Sequence, residues 1–149
     1  MKLSTKGRYG VKAMFELALH YKEPDPVALK VIAENQGISE SYLEQLFGTL
    51  RKAGLITSTR GAQGGYVLSR PPEKITVADI LNVLEGPIEV SECLVDDEAS
   101  CSRMNYCATR LLWQKISDSI NQVINSTTLQ DVVNDYDHMN PDKEKGRKI

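Results

Sequence analysis

The sequence has no apolar run approaching the roughly 20 residues that a membrane-spanning helix requires, which excludes such a span. Its opening stretch, Met1-Lys2-Leu3-Ser4-Thr5-Lys6-Gly7-Arg8, is charged and lacks the apolar centre of an export signal, so a cytoplasmic location is expected. Histidine is scarce, with only His20 and His138, and the only cysteines are Cys93, Cys101 and Cys107. An odd number of thiols in a reducing compartment argues against a disulfide framework and for free thiols or ligands. A thiol enzyme would need a general base beside a thiolate, and neither histidine is near the cysteines in sequence. Neither catalysis nor a small-molecule substrate is expected, and no internal repeat is present.

What remains is a chain of 149 residues, 41% hydrophobic and 26% charged, enough for one ordinary core with an arm. The net charge of −2 conceals an asymmetry. Residues 1–70 hold ten Lys/Arg against six Asp/Glu, a balance of +4, while residues 71–149 hold eight against fourteen, a balance of −6. A basic front half hints at a polyanionic partner, although a solvated face with skewed charge produces the same count.

Helical periodicity opens the chain. Val11, Met14, Phe15, Ala18, Leu19 and Tyr21 recur near one face of residues 6–21, and Pro24 and Pro26 end the pattern. Leu29, Ile32 and Ala33 mark a short second helix that stops at Gly37, and Ser39 can cap a third over about 40–53, with Leu43, Leu46, Phe47 and Leu50 as its buried stripe. Two helices joined through Gly-Ile-Ser fit a helix-turn-helix as well as a plain helical hairpin. The next segment tips the balance. Residues 55–60 and Tyr66-Val67-Leu68 are β-prone and flank the loop Gly61-Ala62-Gln63-Gly64-Gly65, predicting a hairpin wing. Thr76 can cap a closing helix that carries Val77, Ile80, Leu81 and Leu84.

Beyond residue 86 the pattern changes. Residues 87–108 hold all three cysteines among acidic residues and read as a loop. From about 109 to 125, Trp113, Ile116, Ile120 and Val123 recur at spacings of three and four, a long amphipathic helix best hosted by a second copy of the chain. A homodimer is predicted. Thr128 can cap a short helix through Leu129, Val132 and Val133. The expected fold is mainly α with a small β-hairpin wing: a winged helix-turn-helix domain over 1–86, a cysteine-bearing loop over 87–108, a dimerisation helix with a short C-terminal helix over 109–135, and a disordered charged tail over 136–149.

The side chains suited to a double-stranded DNA operator lie off the apolar stripe of the third helix: Ser39, Ser41, Tyr42, Glu44, Gln45 and Thr49. A recognition helix meets base edges in the major groove with its N-terminal turns; there Gln45 can pair with adenine and Glu44 can accept from cytosine N4. Lys6, Arg8 and Tyr9, with Lys2, Arg51 and Lys52, are candidates for phosphate contact. Arg60 sits at the wing tip with Gly61 and Gln63 beside it, in a glycine-rich loop that lets backbone approach a groove.

The spacing Cys93-x7-Cys101-x5-Cys107 is too loose for a zinc ribbon, but three thiols in one loop can converge on a single centre. Soft thiolates select zinc, copper(I) or an iron–sulfur cluster, and a cluster normally takes four ligands. Glu92, Asp96, Asp97, Glu98, Asn105 or a group from elsewhere in the dimer can complete the set.

Four stretches, residues 2–10, 37–46, 50–55 and 60–66, strongly resemble the bacterial family of winged helix-turn-helix regulators that includes IscR, NsrR and CymR, and the likeness spans residues 1–135. The cysteine triplet, with Leu112-Trp113 and Thr127-Thr128-Leu129, looks most like the IscR branch, the [2Fe-2S]-dependent regulators of iron–sulfur cluster assembly genes. The resemblance implies that Cys93, Cys101 and Cys107 are iron ligands, that Ser41, Glu44 and Arg60 read bases, and that residues 109–125 form the dimerisation helix. Two departures stand out. Arg110 lies where the IscR pattern has its histidine after the last cysteine, and the first cysteine gap is longer. The fourth ligand and cluster type stay open. An NsrR-like repressor sensing nitric oxide or redox state through a different cluster, and a CymR-like repressor controlled by a protein partner, are the alternatives; the CymR branch lacks the triplet.

Overall fold

The computed structural model describes residues 3–88 and 108–142. Ser4 opens helix α1 (Thr5–Leu19), its side chain accepting from the Gly7 N–H at 3.3 Å. The buried face of α1 is set by Gly7, Gly10, Ala13, Met14 and Leu17 together with Ala18, so small residues at its start let a neighbouring helix come close. Val11, Phe15 and Leu19 only flank this face, and Tyr21 lies past the helix end, 40% exposed. Helix α2 (Leu29–Gln36) buries Ile32 and Ala33 and ends at Gly37, whose φ of 65° suits glycine. Ser39 caps helix α3 (Glu40–Lys52) as a simple cap on the Tyr42 N–H, and Leu43, Leu46, Phe47 and Leu50 are all buried, as their spacing predicts.

Strands β1 (Ile56–Thr59) and β2 (Gly65–Leu68) pair antiparallel, Ile56 opposite Leu68 and Thr59 opposite Gly65. The sequence does not announce the third member of this layer. Val27, between α1 and α2, exchanges two backbone hydrogen bonds with Tyr66, at 3.0 and 2.8 Å, and so ties the wing base to the front of the domain. A short 3-10 turn (Pro72–Lys74) leads to helix α4 (Val77–Leu84), whose start carries a full capping box between Thr76 and Asp79.

Two C-terminal helices follow, α5 (Ala108–Ser126) and α6 (Leu129–Met139). The structure departs here from the expected division of the chain. Leu129 and Val133 are buried in the same core as Met14, Phe47 and Ile75, so α6 belongs to the winged unit rather than to an arm. Backbone bonds from the Val77 N–H to the Thr127 carbonyl and from the Leu129 N–H to the Ile75 carbonyl, both 2.9 Å, stitch the start of α6 to the start of α4. Helix α6 also runs to Met139, past the expected boundary at 135, because Tyr136 packs its ring edge-on to Phe15 of α1, centroids 5.4 Å apart. Residues 143–149 of the expected disordered tail lie outside the described residues.

Candidate nucleic-acid interface

The Ser39 cap fixes the direction of α3, and the buried stripe fixes its rotation, so the opposite face is turned to solvent. Ser39, Ser41, Glu44 and Gln45 are exposed on it. Tyr42 is half-buried because its ring stands edge-on to Tyr9 of α1 with centroids 6.0 Å apart, and the Lys12 ammonium lies 5.4 Å above the Tyr9 ring. These contacts bring α1 alongside the polar face of α3. Lys6, Tyr42, Gln45, Leu46 and Thr49 line one surface hollow, which places a lysine beside the polar side chains of α3. Lys12 was not expected at this surface; its i, i+4 spacing from Arg8 along the helix carried the signal.

The wing is joined to the same helix. Arg51, late in α3, donates to the Ser58 hydroxyl of β1 at 3.4 Å. At the tip, Arg60, Gly61 and Gln63 are exposed, and the turn is closed by the Gly64 N–H bonding to the Gly61 carbonyl at 3.0 Å. Among the described residues, Lys6, Arg8, Lys52 and Arg60 have no carboxylate within ion-pair distance, so their charge faces solvent. Lys2 lies outside the described residues.

Cys93, Cys101 and Cys107 also lie outside the described residues, with Glu92, Asp96, Asp97, Glu98 and Asn105. Among the described residues no group of three or more His, Cys, Asp or Glu side chains is placed to hold a metal ion. Arg110, in the first turn of α5, is a donor only and cannot replace a histidine ligand. Helix α5 contacts α4 but buries only Ser117 fully; Leu111, Leu112 and Val123 are 62%, 48% and 61% exposed.

Sequence reasoning missed a polar cluster in the interior. Glu16 of α1 and His20 at its C-terminal cap, only 3% and 5% exposed, face each other, with Glu16 Oε1 3.5 Å from His20 Nε2. Asn35 and Gln36 of α2 donate to the two Glu16 oxygens, the latter at 3.0 Å, and Glu23 Oε2 lies 3.1 Å from His20 Nδ1. The hydrogen bond with Glu16 raises the His20 pKa; burial opposes it and Glu23 adds to it. Burial pushes the Glu16 carboxyl up, but bonds with His20, Asn35 and Gln36 outweigh this and hold it below the usual range. The i, i+4 pairing of Glu16 and His20 was legible; the α2 amides were not.

The chain in which these two linked helices, outward polar face and hairpin are found matches, over residues 3–135, a family model described as "Iron-dependent Transcriptional regulator", Rrf2. The chain belongs to the Rrf2 family. It is 51% identical over 132 residues to the HTH-type transcriptional regulator CymR of Bacillus subtilis, covering 89% of each chain. The solved structure of that protein, described as the global cysteine regulator of B. subtilis, superposes with a TM-score of 0.76 at 49% identity, covering 89% of this chain and 95% of that one. The solved IscR of T. potens gives a TM-score of 0.76 at 48% identity over 94% of this chain and 91% of that one. IscR of Pectobacterium atrosepticum is 42% identical over 140 residues, 94% of this chain and 84% of the relative. The winged helix fold and a role in DNA-binding transcriptional regulation therefore hold for this Rrf2 protein. Overall identity does not favour the IscR relatives over CymR, so it does not confer the cluster. No helix among the described residues is long and apolar enough to cross a membrane.

Proposed function

We propose that this Rrf2 protein is a homodimeric regulator whose operator affinity is set by an iron–sulfur cluster, [2Fe-2S] in the IscR manner, held on Cys93, Cys101 and Cys107, and that it controls iron–sulfur cluster assembly genes. The observation that carries the DNA-binding half is the shared surface of α1 and α3, where Lys6 lies beside Gln45 and Thr49. On it Ser41, Glu44 and Gln45 read base edges, Lys6, Arg8 and Tyr9 hold phosphate, and Arg60 with Gly61 and Gln63 enters the neighbouring groove. The uncovered apolar residues of α5 support the dimer, since a second copy of the same helix would bury them. The donor chemistry supports the cluster: three thiols within one short segment suit iron and sulfide, with a fourth ligand still to be supplied. When bound, the cluster supplies a redox-sensitive centre; what the chain's own residues do is hold it and present two recognition helices at a fixed separation.

Anaerobic reconstitution with iron and sulfide counting tests the reading. A visible chromophore lost in Cys101→Ala without loss of helical content is expected, and operator affinity should differ roughly 5- to 150-fold between filled and emptied protein. Zinc in place of iron would reduce the centre to a structural one. A second reading, a CymR-like repressor governed by a protein partner, is favoured by the 51% identity to CymR. It predicts DNA binding that ignores iron and sulfide. Sensitivity of a cluster to nitric oxide would instead indicate the NsrR-like alternative.

A further inference from the structure

We propose that Glu85, immediately after α4, is a positioning residue that holds residues 5–8 of α1 in the conformation that presents Lys6 and Arg8 to a phosphate backbone. This deepens the DNA-binding reading above and rests on it. Glu85 is separated from α1 by most of the winged unit in sequence, yet its Oε1 accepts from the Ser4 backbone N–H at 2.8 Å and from the Ser4 hydroxyl. Ser4 in turn accepts from the Gly7 N–H, so one carboxylate secures the residue that caps the helix. The approach is close. A β-carbon built on Gly7 would lie 2.6 Å from Glu85 Oε1, and one built on Gly10 would lie 2.0 Å from the Leu84 side chain.

The first turn of a helix is where N–H groups lack intrahelical partners and where fraying begins. Ser4 is exposed, and besides its carbonyl accepting from the Arg8 N–H at 3.2 Å its side chain makes only one long bond to its own helix; by itself that side chain is a weak anchor. The Glu85 carboxylate adds two bonds from another element and a negative charge at the positive end of α1. Lys6 and Arg8 project from this turn, exposed and without an ion-pair partner among the described residues. A turn already ordered in the free protein does not have to be ordered on binding, and that difference is gained as affinity.

The test follows binding of a fluorescein-labelled duplex of mixed sequence across a salt series, with thermal unfolding measured in parallel. Glu85→Ala is expected to weaken binding roughly tenfold at low salt, the scale of a lost helix cap, and to reduce the salt slope by about one phosphate contact. Glu85→Gln keeps the acceptor oxygen and should retain most of the affinity. Gly7→Ala evicts the carboxylate and also brings a β-carbon to 3.0 Å from the buried Leu81 side chain, so it should reproduce the loss of binding, with any fall in unfolding temperature read separately. In a Lys6→Ala, Arg8→Ala background, Glu85→Ala should have no further effect. Wild-type affinity and salt slope in Glu85→Ala, or an equal loss with and without Lys6 and Arg8, would overturn the proposal. A wild-type chain that leaves the duplex unbound at low salt would instead overturn the DNA-binding reading and the proposal with it.

Discussion

His20 sits between two carboxylates with almost no access to water, and this makes stability depend on pH in a definite direction. Its pKa is raised on folding, so its contribution is complete below the unfolded value of 6.5 and is lost as pH rises through the higher folded value. Glu16 has a lowered pKa, so its contribution is present above 4.5 and is lost as pH falls through the lower folded value. Denaturation midpoints should peak between pH 4.5 and 6.5 and decline on the alkaline side. His20→Gln should flatten that alkaline decline; an unchanged profile would place the dependence on other groups. A second residue-scale prediction concerns Gly65, where a β-carbon would lie 2.3 Å from the Val27 carbonyl oxygen. Gly65→Ala should cost about 1–3 kcal/mol in chemical denaturation, because the obstacle is backbone that cannot turn aside. Gly65 was legible only as a loop glycine; its closeness to Val27 depends on a pairing between segments far apart in sequence.

At the scale of elements, the signals that succeeded were local. The serine and threonine caps at Ser39, Thr76 and Thr128, the glycine stop at Gly37 and the stripe of α3 all depend on neighbours within a turn or two. Thr128 forms a capping box with Asp131, and Thr128→Ala should cost about 1 kcal/mol, read as a lower unfolding temperature. The breadth of the α1 face was less legible, because Gly7 and Gly10 read as weak helix formers until Glu85 and Leu84 are seen packed over them. Helix α5 poses the opposite case: its apolar periodicity is clear, yet within one chain Leu112 and Val123 are exposed and Trp113, Ile116 and Ile120 are only half-buried. Val123→Glu should shift a dimer toward monomer in sedimentation while leaving helical content intact, since Val123 is 61% exposed in the single chain. Unchanged association would move the interface elsewhere.

For the whole molecule, the winged unit is closed by residues from the far end of the chain. A version ending at Ser126 would lose the burial of Leu129 and Val133 and both backbone bonds to residues 75–77. Each aliphatic side chain is worth about 1.5–3 kcal/mol when fully buried, a large fraction of a small domain's stability. Such a truncation should unfold at much lower denaturant or fail to fold, whereas ending the chain at Asp142 should leave the core intact. The amino-acid order alone determined the helices, the wing and the polar face of α3, because periodicity, caps and turn residues act over a few positions. Only the tertiary structure decided that Val27 joins the wing, that α2 amides satisfy the buried Glu16, that Glu85 anchors Ser4 and that α6 completes the core. Those pairings depend on which distant surfaces meet, and that follows from how all the apolar faces are buried at once.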